Sequence, residues 1–275
     1  MKYTVGSVPY VNAAPLISYF DFLGDRSPVK VRTAVPALLP DLLDEGAQAI
    51  MVSSVDALRH PDRRLVKGFG VGSNGPVESV RLFSKEPMEE IRTLALDQSS
   101  MTSNRLAQVL LHDLYAVRPQ TESRPPDLRQ MLEEHDACVL IGDKGFEADG
   151  RDLYVLDLGE AWTQLTGLPF LWAGWIGGDG VTEELAGYLD KARLWSKCGR
   201  AEARRNPEPS EGRDHTIRFA MRNSGWSEER ARHYLLETMV YDDTEQSPLF
   251  EGLREFQRRL LANGFDDCGH LPTLV

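Results

Sequence analysis

The sequence predicts an α/β protein of two lobes arranged as a clamshell, and three observations carry that prediction. Short apolar runs alternate with helically spaced ones from the first residues onward, the order expected of a mostly parallel sheet. The cycle restarts after residue 87, and strand-like segments near 80–85 and 170–176 supply an outward and a return crossing. Finally, several strands stop at hydroxyl-bearing residues, the carboxyl-terminal edge where open α/β sheets bind ligands. The expected division is lobe I from 1–84 and 172–275, lobe II from 85–171, with a ligand cleft between them.

The first strand covers Tyr3 and Val5 and breaks at Gly6-Ser7 and Pro9. Ser7, Tyr10 and Asn12 crowd the loop that follows, and Pro15 suits the first turn of a helix through Leu16, Ile17 and Phe20. The amino-terminal N–H groups of such a helix favour an anion. Alternating valines in residues 29–36 predict a second strand, and leucines between Pro36 and Gly46 a second helix. Residues 49–52 read as a buried strand ending in Ser53-Ser54.

Residues 70–75 match the dinucleotide-binding pattern GxGxxG, but Pro76 leads into the strand-like VESVRLFSK rather than a helix. The segment is therefore read as a flexible glycine-rich connection. In the second cycle, residues 91–96 form a strand that ends in Asp97-Gln-Ser99-Ser100-Met-Thr102-Ser103, with Thr102 or Ser100 capping the next helix. A weak strand at 117–123, a helix at 127–135 and a buried strand at 137–141 running into Gly142-Asp143 follow. Residues 152–176 hold two apolar, aromatic runs around a turn at Gly167 and Pro169, and from Val181 onward the pattern is helical.

Composition bounds the function. The chain has 275 residues, 41% hydrophobic and 27% charged, as in ordinary globular proteins, and a formal charge of −11. That charge argues against nucleic acid or anionic membranes as partners. Three scattered cysteines, no apolar run of membrane-spanning length and no visible leader make a cytoplasmic location the expectation. No nucleophile elbow, phosphate loop or HExxH motif occurs, and the six histidines lack metal-ligand spacing, so no metal is expected. Asp267, Cys268 and His270 read as a surface turn.

Hydroxyls and helix-start N–H groups suit a carboxylate or phosphate, and three such strand ends occur: Ser7, Ser53-Ser54, and Ser99-Ser100 with Thr102-Ser103. Arg81 is either a bidentate carboxylate partner or an outward-facing strand residue. Asp143 is either a base or ligand contact, or a structural cap. Trp162, Trp172 and Trp175 either stack on a ring or fill the core.

The stretches GSVPYVNAAPL, MVSSVDALR, GPVESVRLFSK, DQSSMTSNRLAQVLL, VLIGD and DLGEAWTQLTGLPFLWAGW jointly resemble the chorismate dehydratases of the futalosine route to menaquinone. The resemblance implies a fold like the type II periplasmic solute receptors. It also implies a cofactor-free lyase that dehydrates chorismate, a small dicarboxylate, to 3-[(1-carboxyvinyl)oxy]benzoate. Asn12 matches the family's functional asparagine, for which an orienting or polarising role is implied, with Asp143 as an alternative base. Ser79, Gly142 and Thr166 lie in the shared stretches and join Ser7, Tyr10, Ser53, Ser54, Arg81, Ser99, Ser100, Thr102 and Ser103 as implied substrate contacts. The family's usual glutamate and tyrosine after the paired serines are replaced by Asp56-Ala57-Leu58, and Asn74 stands where an aspartate is often seen. A non-catalytic receptor for a small anion, of the same fold, is the alternative.

Overall fold

The computed structural model describes residues 2–34, 38–243 and 248–275. In chain order the elements are β1 (Tyr3–Ser7), α1 (Ala14–Leu23), β2 (Val29–Thr33), α2 (Leu39–Asp44), β3 (Ala49–Ser53), α3 (Ser54–Arg59), β4 (Arg64–Leu65) and β5 (Phe69–Ser73). Then come β6 (Val80–Ser84), β7 (Thr93–Asp97), α4 (Thr102–Tyr115), β8 (Gln120–Arg124), α5 (Leu128–Glu134), β9 (Ala137–Ile141), α6 (Gly142–Glu147), β10 (Tyr154–Asp157) and α7 (Leu158–Thr166). The chain finishes with β11 (Phe170–Gly177), α8 (Glu183–Ser196), α9 (Arg200–Arg205), α10 (Glu211–Ser224), α11 (Glu228–His233), β12 (Met239–Asp242), α12 (Leu249–Ala262) and β13 (Thr273–Leu274).

Two compact units result. The first holds residues 1–72, 171–250 and 270–275, and the second 73–170 and 251–269. Apart from Leu171, which falls in the first unit, this division differs from the sequence expectation at two places. Residues 73–84 join the second unit because β6 pairs along its whole length with β9, from Val80↔Ile141 to Ser84↔Ala137. Residues 251–269 join it because Phe256 of α12 packs against Trp162 and Phe170, at ring-centroid distances of 5.9 and 4.9 Å.

In the first unit an eight-stranded sheet runs β12-β5-β11-β3-β1-β2, with β4 and β13 attached through β11. Strands β1, β2 and β3 are parallel, so Ser7, Thr33 and Ser53 end on one edge. Helix α1 opens with Pro15, whose missing N–H costs nothing in a first turn. Its buried face meets α8 and α10, where the Ser18 and Thr216 hydroxyls share a 2.7 Å hydrogen bond and the Tyr19 and Phe22 rings lie 5.2 and 4.9 Å from Trp195. The predicted second strand stops at Thr33, and residues 35–37, to which it and the second helix were extended, lie outside the described residues.

The glycine-rich stretch is not a flexible connection. Phe69–Ser73 is a wholly buried strand inside the sheet, flanked by β12 and β11. Its glycines reflect close approach: a Cβ on Gly70 would lie 2.6 Å from Leu171 Cδ1 and 2.8 Å from the carbonyl oxygen of Ala173. No helix opens at these glycines, so the GxGxxG match lacks the strand-to-helix context of a dinucleotide site. Strands β12 and β13, short and set in a helical region, also escape the sequence reading.

The second unit has a five-stranded sheet in the order β10-β6-β9-β7-β8. Strands β7, β8 and β9 are parallel, whereas β6 runs antiparallel to β9 and β10 antiparallel to β6. One core cluster joins Phe83, Ala95, Met131, Cys138 and Leu140. Another joins Trp162, Phe170 and Phe256, with the indole N–H of Trp162 donating to the Pro169 carbonyl at 3.2 Å. Helix α12 is tied to α4 by Arg259 and Asn263, which both donate to Asp113. Burial opposes ionisation of Asp113, but hydrogen bonds from His112, Asn263 and Arg259 outweigh it and hold the carboxyl below the usual carboxylate range.

Two outcomes follow. Gly70→Ala is expected to lower unfolding free energy by about 1–3 kcal/mol through overpacking, whereas Gly187→Ala, exposed in α8 with open space around it, raises it by about 0.5–1 kcal/mol; denaturant titration reads both. Asp113 stabilises the fold above the ordinary carboxylate pKa near 4 and loses that contribution as pH falls through its lower folded value. Asp113→Asn should therefore cost about 1 kcal/mol at pH 7, and its thermal midpoint should converge with that of the parent only as pH falls from about 4 through the lower folded value.

Candidate functional site

In the first unit the candidate groups follow from where the parallel strands stop. Ser7 ends β1 and is wholly buried, its hydroxyl turned to the Val8 carbonyl at 3.4 Å and its own carbonyl accepting from Ala34 N–H at 3.0 Å. The next turn, a 3-10 segment over Val11–Ala13, buries Val11 and Ala13 and leaves Asn12 between them partly exposed. The Asn12 side chain makes no hydrogen bond with any other described residue. A carboxamide on a short turn, with no bond to another described residue, is equipped to bind a ligand. Tyr10, just before it, is 39% exposed.

Because β3 lies beside β1 in parallel register, Ser53 and Ser54 emerge at the same edge as Ser7. Ser53 is the residue before α3 and Ser54 its first residue, partly exposed and buried respectively. Antiparallel β11 runs back past them, with Ala173 opposite Ser53. Trp172 and Trp175 on that strand are buried members of the core, as is Trp162 in the second unit.

In the second unit the same edge logic gathers a larger group. β7 and β9 end together, β6 begins beside them, and β10 ends beside β6 with Asp157 opposite Arg81. Ser99, Ser100, Thr102 and Ser103 after β7, Gly142 and Asp143 after β9, and Ser79 before β6 are thus brought to one edge of one sheet. Ser100 rather than Thr102 caps α4: its hydroxyl oxygen accepts from Ser103 N–H at 3.2 Å. Gly142 has φ +61°, a conformation that turns the chain sharply from β9 into α6. Asp143 is exposed in the first turn of that helix.

Two expected contacts are placed differently. Arg81 is half-buried, and its Nε and Nη2 donate to the carbonyls of Gly145, Phe146 and Ala148 at the end of α6, while its guanidinium stacks 4.8 Å over Phe83. Nε and Nη2 are thus taken by backbone carbonyls, and burial lowers the pKa of the group. Thr166 lies at the last turn of α7, where its hydroxyl donates to the Trp162 carbonyl at 2.8 Å and accepts from Leu168 N–H at 3.1 Å. It closes a helix end, the opposite end of α7 from the strand edge.

Two carboxylates that the sequence reading passed over organise this edge. Asp97, fully buried, accepts from Ser99 N–H at 2.8 Å, the Ser99 hydroxyl at 2.5 Å and Ile141 N–H at 3.3 Å. It ties the ends of β7 and β9 together. Asn104 reinforces the loop by donating to the carbonyls of Asp97 and Ser100. Asp157 caps α7 through Gly159 and Glu160 N–H, both at 3.0 Å, and also accepts from Val77 and Glu78 N–H. The signal was present in Asp157-Leu-Gly-Glu160, whose spacing is that of a capped helix start. Among the described residues no group of three or more His, Cys, Asp or Glu is placed to hold a metal ion, and no helix is long and apolar enough to cross a membrane.

Comparison with known proteins agrees with this architecture. The chorismate dehydratase of Thermus thermophilus is 34% identical over 192 residues, covering 63% of this chain and 69% of that one. The Campylobacter jejuni chorismate dehydratase is 29% identical over 174 residues, covering 61% and 64%. Among solved structures, protein AF1704 of Archaeoglobus fulgidus matches with a TM-score of 0.67 at 18% identity over 95% of this chain and 97% of that one. The periplasmic aliphatic sulphonate binding protein SsuA of Escherichia coli matches with a TM-score of 0.63 at 15% identity over 99% and 93%. At such identities the likeness concerns the fold, which is that of the periplasmic binding proteins. A family model described as menaquinone biosynthesis matches residues 3–261. With nearly its whole length inside that match, the chain belongs to the menaquinone-biosynthesis family, alongside the chorismate dehydratases of T. thermophilus and C. jejuni.

Proposed function

We propose that this protein is a hydro-lyase that converts chorismate to 3-[(1-carboxyvinyl)oxy]benzoate and water. The observation that carries the reading is the 34% identity to a chorismate dehydratase over most of the chain, within a family match that spans it. The distribution of donors supports it. Chorismate is a dianion, so a protein of net charge −11 must hold it with local hydrogen bonds rather than a favourable overall field. Its two carboxylates call for several donors, and the strand ends of both units carry candidates: Ser7, Tyr10, Asn12, Ser53 and Ser54 in the first unit, and Ser79, Ser99, Ser100, Thr102, Ser103 and the Gly142 turn in the second.

The chemistry asks little more of the protein. A ring proton beside the enol ether leaves, the electron pair spreads through the diene into the ring carboxylate, and the ring hydroxyl departs as that pair returns. The proton and the hydroxide together make the water released. Aromatisation drives the step. The protein's task is to stabilise the delocalised charge with fixed donors. Asn12, whose amide has no other described partner, orients or polarises the substrate; an amide is too weak a base to take the proton. The substrate's own enolpyruvyl carboxylate is the proton acceptor in this scheme, and Asp143, exposed at the start of α6, is the alternative.

Incubation with chorismate, followed by chromatography and mass detection, is expected to show loss of 18 mass units and a benzoate-type absorbance. Recovery of bound but unchanged chorismate would instead make the protein a receptor. Asn12→Ala is expected to lower kcat by about 10²–10³ with an unchanged circular dichroism spectrum; normal turnover would remove Asn12 from the site.

A further inference from the structure

The turn that leads into β6 is held in a conformation its own residues do not favour. Glu78 has φ +63°, a left-handed conformation that costs a non-glycine residue free energy and persists only where surroundings enforce it. The enforcing group is the Asp157 carboxylate. Glu78 N–H donates to its Oδ2 at 2.7 Å, and Val77 N–H reaches both oxygens at 3.1 Å. The same carboxylate caps α7 through two further N–H groups. Four backbone donors thus converge on one side chain, and Thr163, one turn into α7, adds a fifth tie by accepting from Gly75 N–H at 3.0 Å.

The residue delivered by this turn is Ser79. It is buried, it precedes β6 directly, and its N–H closes a tight turn onto the Val77 carbonyl at 2.7 Å. We propose that Asp157 is a positioning residue for the dehydration: by clamping Val77 and Glu78 it fixes the left-handed turn that presents the Ser79 hydroxyl to substrate. The inference rests on the chorismate reading above and adds to it a residue that touches no substrate. A helix cap alone needs two of the four contacts; the other two have no capping role, since Val77 and Glu78 lie outside α7.

The test separates capping from positioning. Asp157→Asn keeps a good cap but loses the charge and one acceptor oxygen that the turn uses. It is expected to keep its thermal midpoint within a few degrees while kcat/KM for chorismate falls about 10- to 100-fold, the scale of a misplaced contact. Adding Glu78→Gly, which accepts the left-handed conformation without strain, is expected to restore kcat/KM to within about threefold of the parent. Amide exchange of the 74–80 peptide reads the clamp without any turnover: faster in Asp157→Asn, while the α7 amides stay protected.

Undiminished kcat/KM in Asp157→Asn, or failure of Glu78→Gly to rescue it, would overturn the proposal. So would a loss in Asp157→Asn alongside an unaffected Ser79→Ala, because the turn would then act through something else. If the parent protein left chorismate unchanged, the functional reading would fall, and unchanged exchange at 74–80 would separately overturn the clamp.

Discussion

Parallel strands that stop together must find partners for backbone groups that the sheet no longer pairs. In this protein that constraint decides where function can reside. At the end of β1 the Ser7 hydroxyl turns to the Val8 carbonyl, and β3 runs directly into α3; at the ends of β7, β9 and β10 the chain uses the carboxylates of Asp97, fully buried, and Asp157, partly buried. Each carboxylate takes several N–H donors at once, so the loops around it are rigid. Hydroxyls on such loops are positioned before any ligand arrives, which is the condition under which fixed dipoles stabilise developing charge.

The same reasoning explains why Arg81 and Thr166 look like site residues in the sequence yet have other duties. An arginine in an apolar strand must satisfy its guanidinium once half-buried, and the carbonyls at the end of α6 lie nearest. A threonine before a helix-ending Gly167 can reach back to its own last turn, as Thr166 does. In the proposed reading, anion recognition falls to neutral donors, Asn12 among them. For an acidic protein with an acidic ligand, neutral donors have an advantage: they need no compensating negative partner in the same site.

Much of this was legible in the sequence because periodicity reports which face is buried. The order of β1, α1, β3, β7, α4 and β9, and the hydroxyls at three strand ends, follow from alternation and from breaks such as Gly6-Ser7. The role of Asn12 was reached through likeness to a family, and an amide with no partner among the described residues adds an independent physical reason. What was not legible depends on contacts distant in sequence. The burial of Phe69–Ser73 as a strand comes from β11, a hundred residues away, and a run of glycines carries no sign of it. The tie between Asp157 and Glu78 spans 79 positions. The pairing of α12 with the second unit depends on Phe256 meeting Trp162, which no local pattern announces.

The central claim is that the strand-end donors and Asn12 hold a ring dicarboxylate while it loses water. A crystal structure with 3-[(1-carboxyvinyl)oxy]benzoate bound tests it most directly. The account requires a product carboxylate or ether oxygen within hydrogen-bonding distance of the Asn12 amide or of the strand-end hydroxyls named above. Product seated elsewhere, with Asn12 and these hydroxyls facing only solvent, would contradict it.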